Sequence, residues 1–188
     1  VILPHVTNRY YPEVLLCLSA ALEACGLRML LFTLEHDEAV NSIFEEVMRH
    51  QGDGVIMAGR PKPELLHQHR HRGIPLILYN RYWSELDISS VCCDHRRSAS
   101  ELARRLYRAG RRHFALVTGP AESPTNSERE QGFRDELQRL GISQIFAVNG
   151  DYDYDISAQT VSKLVTQQPE IDALFCTNDV MAFAAMDA

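Results

Sequence analysis

The feature that most constrains this 188-residue chain is an alternation, in which short β-branched and leucine-rich runs are separated by longer segments carrying a helical apolar stripe. Val1 to Pro4, Arg28 to Thr33, Gly54 to Ala58, Pro75 to Tyr79, Ser90 to Cys93, His113 to Thr118, Gln144 to Val148 and Ala173 to Thr177 read as strands. Between them Val14, Leu18, Leu22 and Cys25 form one stripe, Ile43 and Val47 a second, Ala99, Leu102 and Leu106 a third, and Phe133, Leu137 and Leu140 a fourth. Strands that alternate with helices are joined by crossovers rather than hairpins, so the expected fold class is α/β, with parallel sheets flanked by helices. Gly26, Gly52, Gly73, Gly110 and Gly141 each fall just past a helical segment, where a left-handed cap favours a residue without Cβ. Eight strands exceed one small mononucleotide-binding sheet, and the irregular stretch from Arg81 to Ile88 marks the passage from one sheet to the next.

Charge and composition then narrow the function. The chain has 19 Lys and Arg against 25 Asp and Glu, a net charge of -6, which argues against a phosphate-neutralising nucleic-acid surface in this segment. Hydrophobic residues at 45% and charged residues at 23% exclude a disordered chain. No uninterrupted apolar run approaches the roughly 20 residues needed to cross a bilayer, so no membrane partner is expected. Cys17, Cys25, Cys92, Cys93 and Cys176 have neither zinc spacing nor the even count of a secreted disulfide scaffold, which points to a reducing cytoplasm. Val1 begins within a strand and Ala188 ends within a helix, so the sequence reads as a segment of a longer protein.

Open parallel sheets bind ligands outside the carboxyl ends of their strands, which directs attention to the loops after each strand. The first holds Thr7-Asn8-Arg9-Tyr10-Tyr11-Pro12, an aromatic platform for a planar ring or sugar face, or alternatively a hydrophobic staple at a helix start. After the sixth strand come Gly119-Pro120, then Ser123, Thr125, Ser127 and Arg129, a polar loop feeding a helix with a guanidinium able to fork onto ligand oxygens, or simply a solvated arginine. Thr177-Asn178-Asp179 after the last strand is a helix cap with hydroxyl-binding potential. Asp151-Tyr152-Asp153-Tyr154-Asp155 imitates the start of a calcium loop, but Ile156 stands at the obligatory Gly and Ser162 at the bidentate Glu, so no metal is expected. His67, His69 and His71 read as a solvated helix face, and Cys92-Cys93 as a vicinal pair with one thiol toward a cleft. A phosphate loop, a nucleophile elbow and a metalloprotease helix are all missing, so neither a cofactor nor an enzymatic reaction is expected.

Several of these pieces occur in one collinear order. They are Val1-Ile2-Leu3-Pro4 with Asn8-Arg9-Tyr10-Tyr11, Gly54-Val55-Ile56, Asp94 before a helix, and Ala109-Gly110-Arg111-Arg112-His113-Phe114-Ala115-Leu116-Val117-Thr118-Gly119-Pro120. Ser123 through Arg129 to Gly132-Phe133, and Thr177-Asn178-Asp179-Val180-Met181-Ala182, complete the series. In this order the chain resembles, over essentially its whole length, the effector-binding core of the LacI/GalR family of bacterial transcriptional regulators, which is related to periplasmic sugar-binding proteins.

The resemblance implies two Rossmann-like lobes of the periplasmic-binding-protein type I fold around a cleft, residues 1–93 and 94–188, the second incomplete at its carboxyl end. It implies a small effector, a sugar, sugar acid or purine, that controls operator DNA binding by a headpiece lying outside this sequence, and a homodimer. Helix faces near Glu45 to His50 and Leu65 to His69 are the candidate dimer contacts. Carried over position by position, Tyr10 and Tyr11 line the first-lobe wall and Asn80, often Asp in relatives, bonds a hydroxyl. Cys93 replaces an aromatic residue of some members, which suggests a smaller ligand. Thr125 and Arg129 bind ligand oxygens from the second lobe, Tyr152 packs on the ligand, and Asn178 and Asp179 complete hydroxyl recognition. His95 stands where Asn is frequent. The alternative reading is a periplasmic sugar-binding protein of an ABC transporter, which shares the fold. Cysteines in apolar segments and the arginines 104, 105, 108, 111 and 112 weigh against export.

Overall fold

Parallel pairing organises the whole chain. In the computed structural model, which describes residues 1–4, 10–34, 39–70, 73–83, 86–121 and 123–188, two sheets form. The first takes β1 (Ile2–Pro4), β2 (Phe32–Leu34), β3 (Val55–Met57), β4 (Leu76–Tyr79) and β5 (Ser89–Val91) in the order β2-β1-β3-β4-β5. The second takes β6 (Phe114–Thr118), β7 (Ile145–Asn149) and β8 (Ala173–Cys176) in the order β7-β6-β8. Every strand pair is parallel. The connecting helices are α1 (Tyr10–Ala24), α2 (Val40–Arg49), α3 (Pro63–Arg70), α4 (His95–Arg108), α5 (Pro124–Arg139), α6 (Tyr154–Gln167) and α7 (Asp179–Asp187). The chain divides into two compact units, Val1–Cys93 and Asp94–Ala188.

Most strands are a residue or more shorter than their sequence runs. β2 begins at Phe32, in register with Ile2 of β1, and just before it the Leu30 carbonyl accepts from the Val1 amino group at 2.7 Å. β5 stops at Val91 rather than Cys93 because its neighbour β4 ends: Asn80 donates its N–H to the Val91 carbonyl at 2.8 Å and is itself in the left-handed region at φ 55°. Gly26, Gly73, Gly110 and Gly141 do adopt left-handed caps, whereas Gly52 does not, the neighbouring Gln51 taking that conformation at φ 51° instead.

In the first unit Val40, Phe44 and Val47 of α2 and Leu66 of α3 cover one face of the sheet, against Ile2, Leu34, Val55, Met57, Leu76 and Leu78. On the other face Leu3 and Ala58 meet Tyr11 and Leu15 of α1. The histidine run divides. His67 is exposed, His71 lies outside the described residues with Thr7, Asn8 and Arg9, and His69 is buried, which corrects its reading as solvated. Its Nε2 bonds the Ile74 carbonyl at 2.6 Å and its ring stands edge-on to Phe44.

The second unit is built around β6, whose first four residues are all buried, as befits a central strand covered on both sides. Phe114 and Leu116 face Ala99 and Ala103 of α4 and Phe133 and Leu137 of α5, with Phe133 stacked on Phe175 at 4.4 Å. Val117 points the other way, onto Val161 of α6 and Met181 of α7. The apolar stripe of α6 escapes a sequence search because its first buried member is polar: the Ser157 hydroxyl donates to the Gly150 carbonyl at 3.2 Å.

Helices α4 and α5 cross unusually closely. A Cβ on Gly132 would lie 2.1 Å from the carbonyl oxygen of Arg96. One turn farther along, the buried carboxylate of Glu136 accepts from Arg104 Nε at 3.0 Å, Arg139 Nη2 at 2.7 Å and Ser100 Oγ at 3.2 Å. Hydrogen bonds from Arg139 and then Arg104 hold Glu136 down to about 2, against the opposing effect of burial.

Candidate functional site

Among the described residues four helices begin on a side-chain cap, and these caps place the candidate ligand groups. Asp94 Oδ1 accepts from Arg97 N at 2.9 Å, Ser123 Oγ from Asn126 N at 3.4 Å, Asp153 Oδ1 from Ile156 N at 2.8 Å and Asn178 Oδ1 from Met181 N at 2.9 Å. All four lie in the second unit, each after a strand end. Asn178 therefore has one side-chain oxygen committed to α7, while Asp179 is exposed in the first turn.

The loops after β6 and β8 are tied by a buried polar triangle. Gly119 N donates to Asn126 Oδ1 at 2.7 Å and to Thr177 Oγ1 at 3.1 Å, and Thr177 Oγ1 donates to the same Asn126 oxygen at 2.7 Å. Asn126 and Thr177 thus carry an unanticipated role, since a buried backbone N–H and a buried hydroxyl both need a partner. Above this triangle lies a row of hydroxyls, with Ser123 Oγ 3.1 Å from Thr125 Oγ1 and 3.2 Å from Tyr152 OH.

Tyr152 reaches that row because Asp151 and Tyr152 are successive left-handed residues, at φ 52° and 58°. Its ring lies flat over Gly119, where any Cβ would come within 2.2 to 2.6 Å of ring carbons. The acidic run from Asp151 to Asp155 is therefore a turn and a helix cap. Among the described residues no group of three His, Cys, Asp or Glu is placed to hold a metal ion.

Arg129, one turn into α5, points back over the same edge. Its Nη1 donates to the Thr177 carbonyl at 2.5 Å and its Nε to His95 Nδ1 at 3.3 Å. His95 is buried at the start of α4. Of the nearby arginines, Arg96 is paired with Asp135 at 2.5 Å and Arg97 is exposed.

In the first unit, Tyr10 and Tyr11 separate. Tyr11 is packed into the core against Leu3 and Ala58, while Tyr10 is exposed and shares a 2.5 Å hydrogen bond with the hydroxyl of Tyr79. Burial, and then the bond to Tyr10, push the Tyr79 hydroxyl above its ordinary value. Tyr79 was legible only as a strand residue; its position as the last residue of β4 is the signal that it faces the ligand-binding edge. Asn80 is half-buried beside it and its carbonyl accepts from Arg81 Nη1 at 2.8 Å. Cys93 is exposed two residues past β5, and Cys17, Cys25, Cys92, Cys93 and Cys176 are all free thiols. Burial pushes the Cys176 thiol up to about 11. The structure thus brings Thr125, Arg129, Tyr152 and Asn178 to one edge of the second sheet, and Tyr10, Asn80 and Cys93 to the carboxyl edge of the first. No helix among the described residues is long and apolar enough to cross a membrane.

A family model described as periplasmic binding proteins and sugar binding domain of LacI family matches residues 1–188. The HTH-type transcriptional repressor CytR of Escherichia coli strain K12 is 24% identical over 190 residues, covering 99% of this chain and 56% of its own length. The chain thus spans little more than half the length of that curated relative. Among solved structures, the Cra transcriptional dual regulator of Pseudomonas putida, in complex with fructose 1-phosphate, superposes with a TM-score of 0.87 at 21% identity, covering 99% of this chain and 70% of that one. An ABC transporter periplasmic solute-binding protein of Actinobacillus succinogenes with bound D-allose gives 0.88 at 17% identity, covering 100% of this chain and 71% of that one. Both likenesses show a shared periplasmic-binding-protein fold, and the full-length family match shows more: the chain belongs to the family of periplasmic binding proteins and LacI-family sugar-binding domains.

Proposed function

We propose that this chain is the effector-binding part of a ligand-responsive transcriptional regulator of the LacI type, and that it binds a sugar or sugar derivative at the carboxyl-end loops of its sheets. The observation that carries the reading is the edge of the second sheet. There the Ser123, Thr125 and Tyr152 hydroxyls form one row, and at the same edge the Arg129 guanidinium is oriented by Thr177 and His95. That combination recognises a polyhydroxylated ligand by directed hydrogen bonds and supplies no nucleophile, metal or acid-base pair for turnover. The relationship to CytR, an HTH-type transcriptional repressor, supports coupling to operator DNA through a domain outside this sequence; a homodimer and a cytoplasmic location belong to the same proposal. In that arrangement the effector acts by binding one conformation of the regulator more tightly than another.

Isothermal titration against a panel of neutral sugars, sugar phosphates, sugar acids and purines tests the assignment. One class binds, and Arg129→Ala weakens it at least 100-fold; unchanged affinity in that variant refutes the site. The alternative solute-binding reading shares this fold, which superposes on the D-allose protein with a TM-score of 0.88. It is distinguished by the coding sequence upstream of Val1, where a helix-turn-helix supports the regulator and a signal peptide supports transport.

A further inference from the structure

Arg129 differs from most held arginines of its unit in the kind of partner it has, the surface-exposed Arg112 on the Tyr107 and Arg111 carbonyls being similarly held by neutral acceptors. Arg96, Arg104, Arg105, Arg134 and Arg139 each pair with a carboxylate within 3.2 Å. Arg129 is held by two neutral acceptors, the Thr177 carbonyl and the Nδ1 of His95, and among the described residues no carboxylate lies within ion-pair distance of it. A guanidinium N–H can donate to Nδ1 only if that nitrogen carries no proton, so the geometry specifies His95 as the neutral Nε2–H tautomer. A carboxylate at this place would orient the guanidinium and also cancel its charge. A neutral imidazole orients it and leaves the charge in place, with Nη2 unengaged among the described residues.

From this we infer that His95 is a positioning residue, which orients Arg129 as a cation without a carboxylate partner among the described residues and thereby directs the second-unit edge toward a ligand bearing an anionic group, a phosphate or a carboxylate. The inference rests on the proposed ligand site and goes further, because it names a residue with no assigned role and a charge class for the ligand. The buried position of His95, at 5% exposure, keeps water from substituting for it as the acceptor.

The test uses the whole chain labelled with 15N at arginine and histidine, the Arg129 Nε–H resonance being identified by its loss in Arg129→Lys. In the parent protein this proton exchanges slowly and His95 shows an unprotonated Nδ1. His95→Asn, whose Oδ1 sits close to where Nδ1 was, keeps the protection. His95→Leu, similar in bulk but without an acceptor, exchanges at least tenfold faster with an unchanged far-ultraviolet circular dichroism spectrum. Equal protection in the Leu variant, loss of protection in both variants, or an Nδ1-protonated ring in the parent overturns the role of His95. Inorganic phosphate is then titrated into the same proteins. A shift of the Arg129 Nε–H signal that saturates, with affinity about tenfold weaker in His95→Leu and within twofold in His95→Asn, supports the anionic class; no shift in the parent overturns it. The exchange measurement needs no ligand, so a failed effector screen and a failed His95 assignment are separate results.

Discussion

Gly132→Ala sets two effects of opposite sign against each other. Gly132 lies within α5, where replacing glycine by alanine is favourable by about 1 kcal/mol, since the unfolded chain loses freedom and the helix gains a better former. The new methyl, however, would stand 2.1 Å from the Arg96 oxygen, 2.8 Å from its carbonyl carbon and 2.9 Å from its Cα. These are backbone atoms of α4, so no rotamer change relieves the contact, and ordinary van der Waals separation requires the helices to part by roughly 1 Å. Parting them loosens Ala99 and Ala103 against Phe133 and stretches the Glu136 hydrogen bonds. Overpacking of this kind costs about 1–3 kcal/mol, and with a rigid neighbour the upper end applies. We therefore expect a net destabilisation of about 2 kcal/mol, or a fall in Tm of roughly 4–8 °C for a chain of this size. The assay is thermal unfolding followed by circular dichroism, with amide exchange across α4 and α5 to localise the effect and the exposed neighbour Gln131→Ala as a control. An unchanged or raised Tm with native exchange rates would refute the close crossing.

Two other substitutions probe the same unit. Glu136→Gln lowers stability at pH 7 by about 2 kcal/mol, less than a fully buried pair would cost because Arg139 is 64% exposed and can return to water. Its carboxylate is held down to about 2 from an ordinary 4.5, so its contribution is complete above pH 4.5 and is lost as pH falls through 2. Urea midpoints of parent and variant should accordingly converge over that window. Asp94→Ala removes the cap on Arg97 N and costs about 1 kcal/mol, read as faster exchange in the first turn of α4 while the end of α4 is unaffected.

The βα alternation, the parallel fold class, the left-handed glycines at 26, 73, 110 and 141 and the capping residue Asn178 are local signals. Each depends on residues within one or two turns of one another, so the sequence alone displays them, and the collinear motifs suffice to place the family. Other features depend on partners distant along the chain, and these only the tertiary structure decided. β5 ends where β4 does, at Val91. Tyr11 enters the core while adjacent Tyr10 stays at the surface with Tyr79. His69, in a run that looks solvated, is buried because it bonds Ile74 and packs on Phe44 of another helix. The same holds at the candidate site. Arg129 and His95 are 34 residues apart, and nothing in the periodicity of either helix announces their contact. It exists because Gly132 lets α5 settle against the Arg96 backbone, which brings the start of α4 within reach of the guanidinium. Local pattern specifies which face of a helix is apolar, but the crossing of two helices specifies which polar groups must satisfy each other once water is gone.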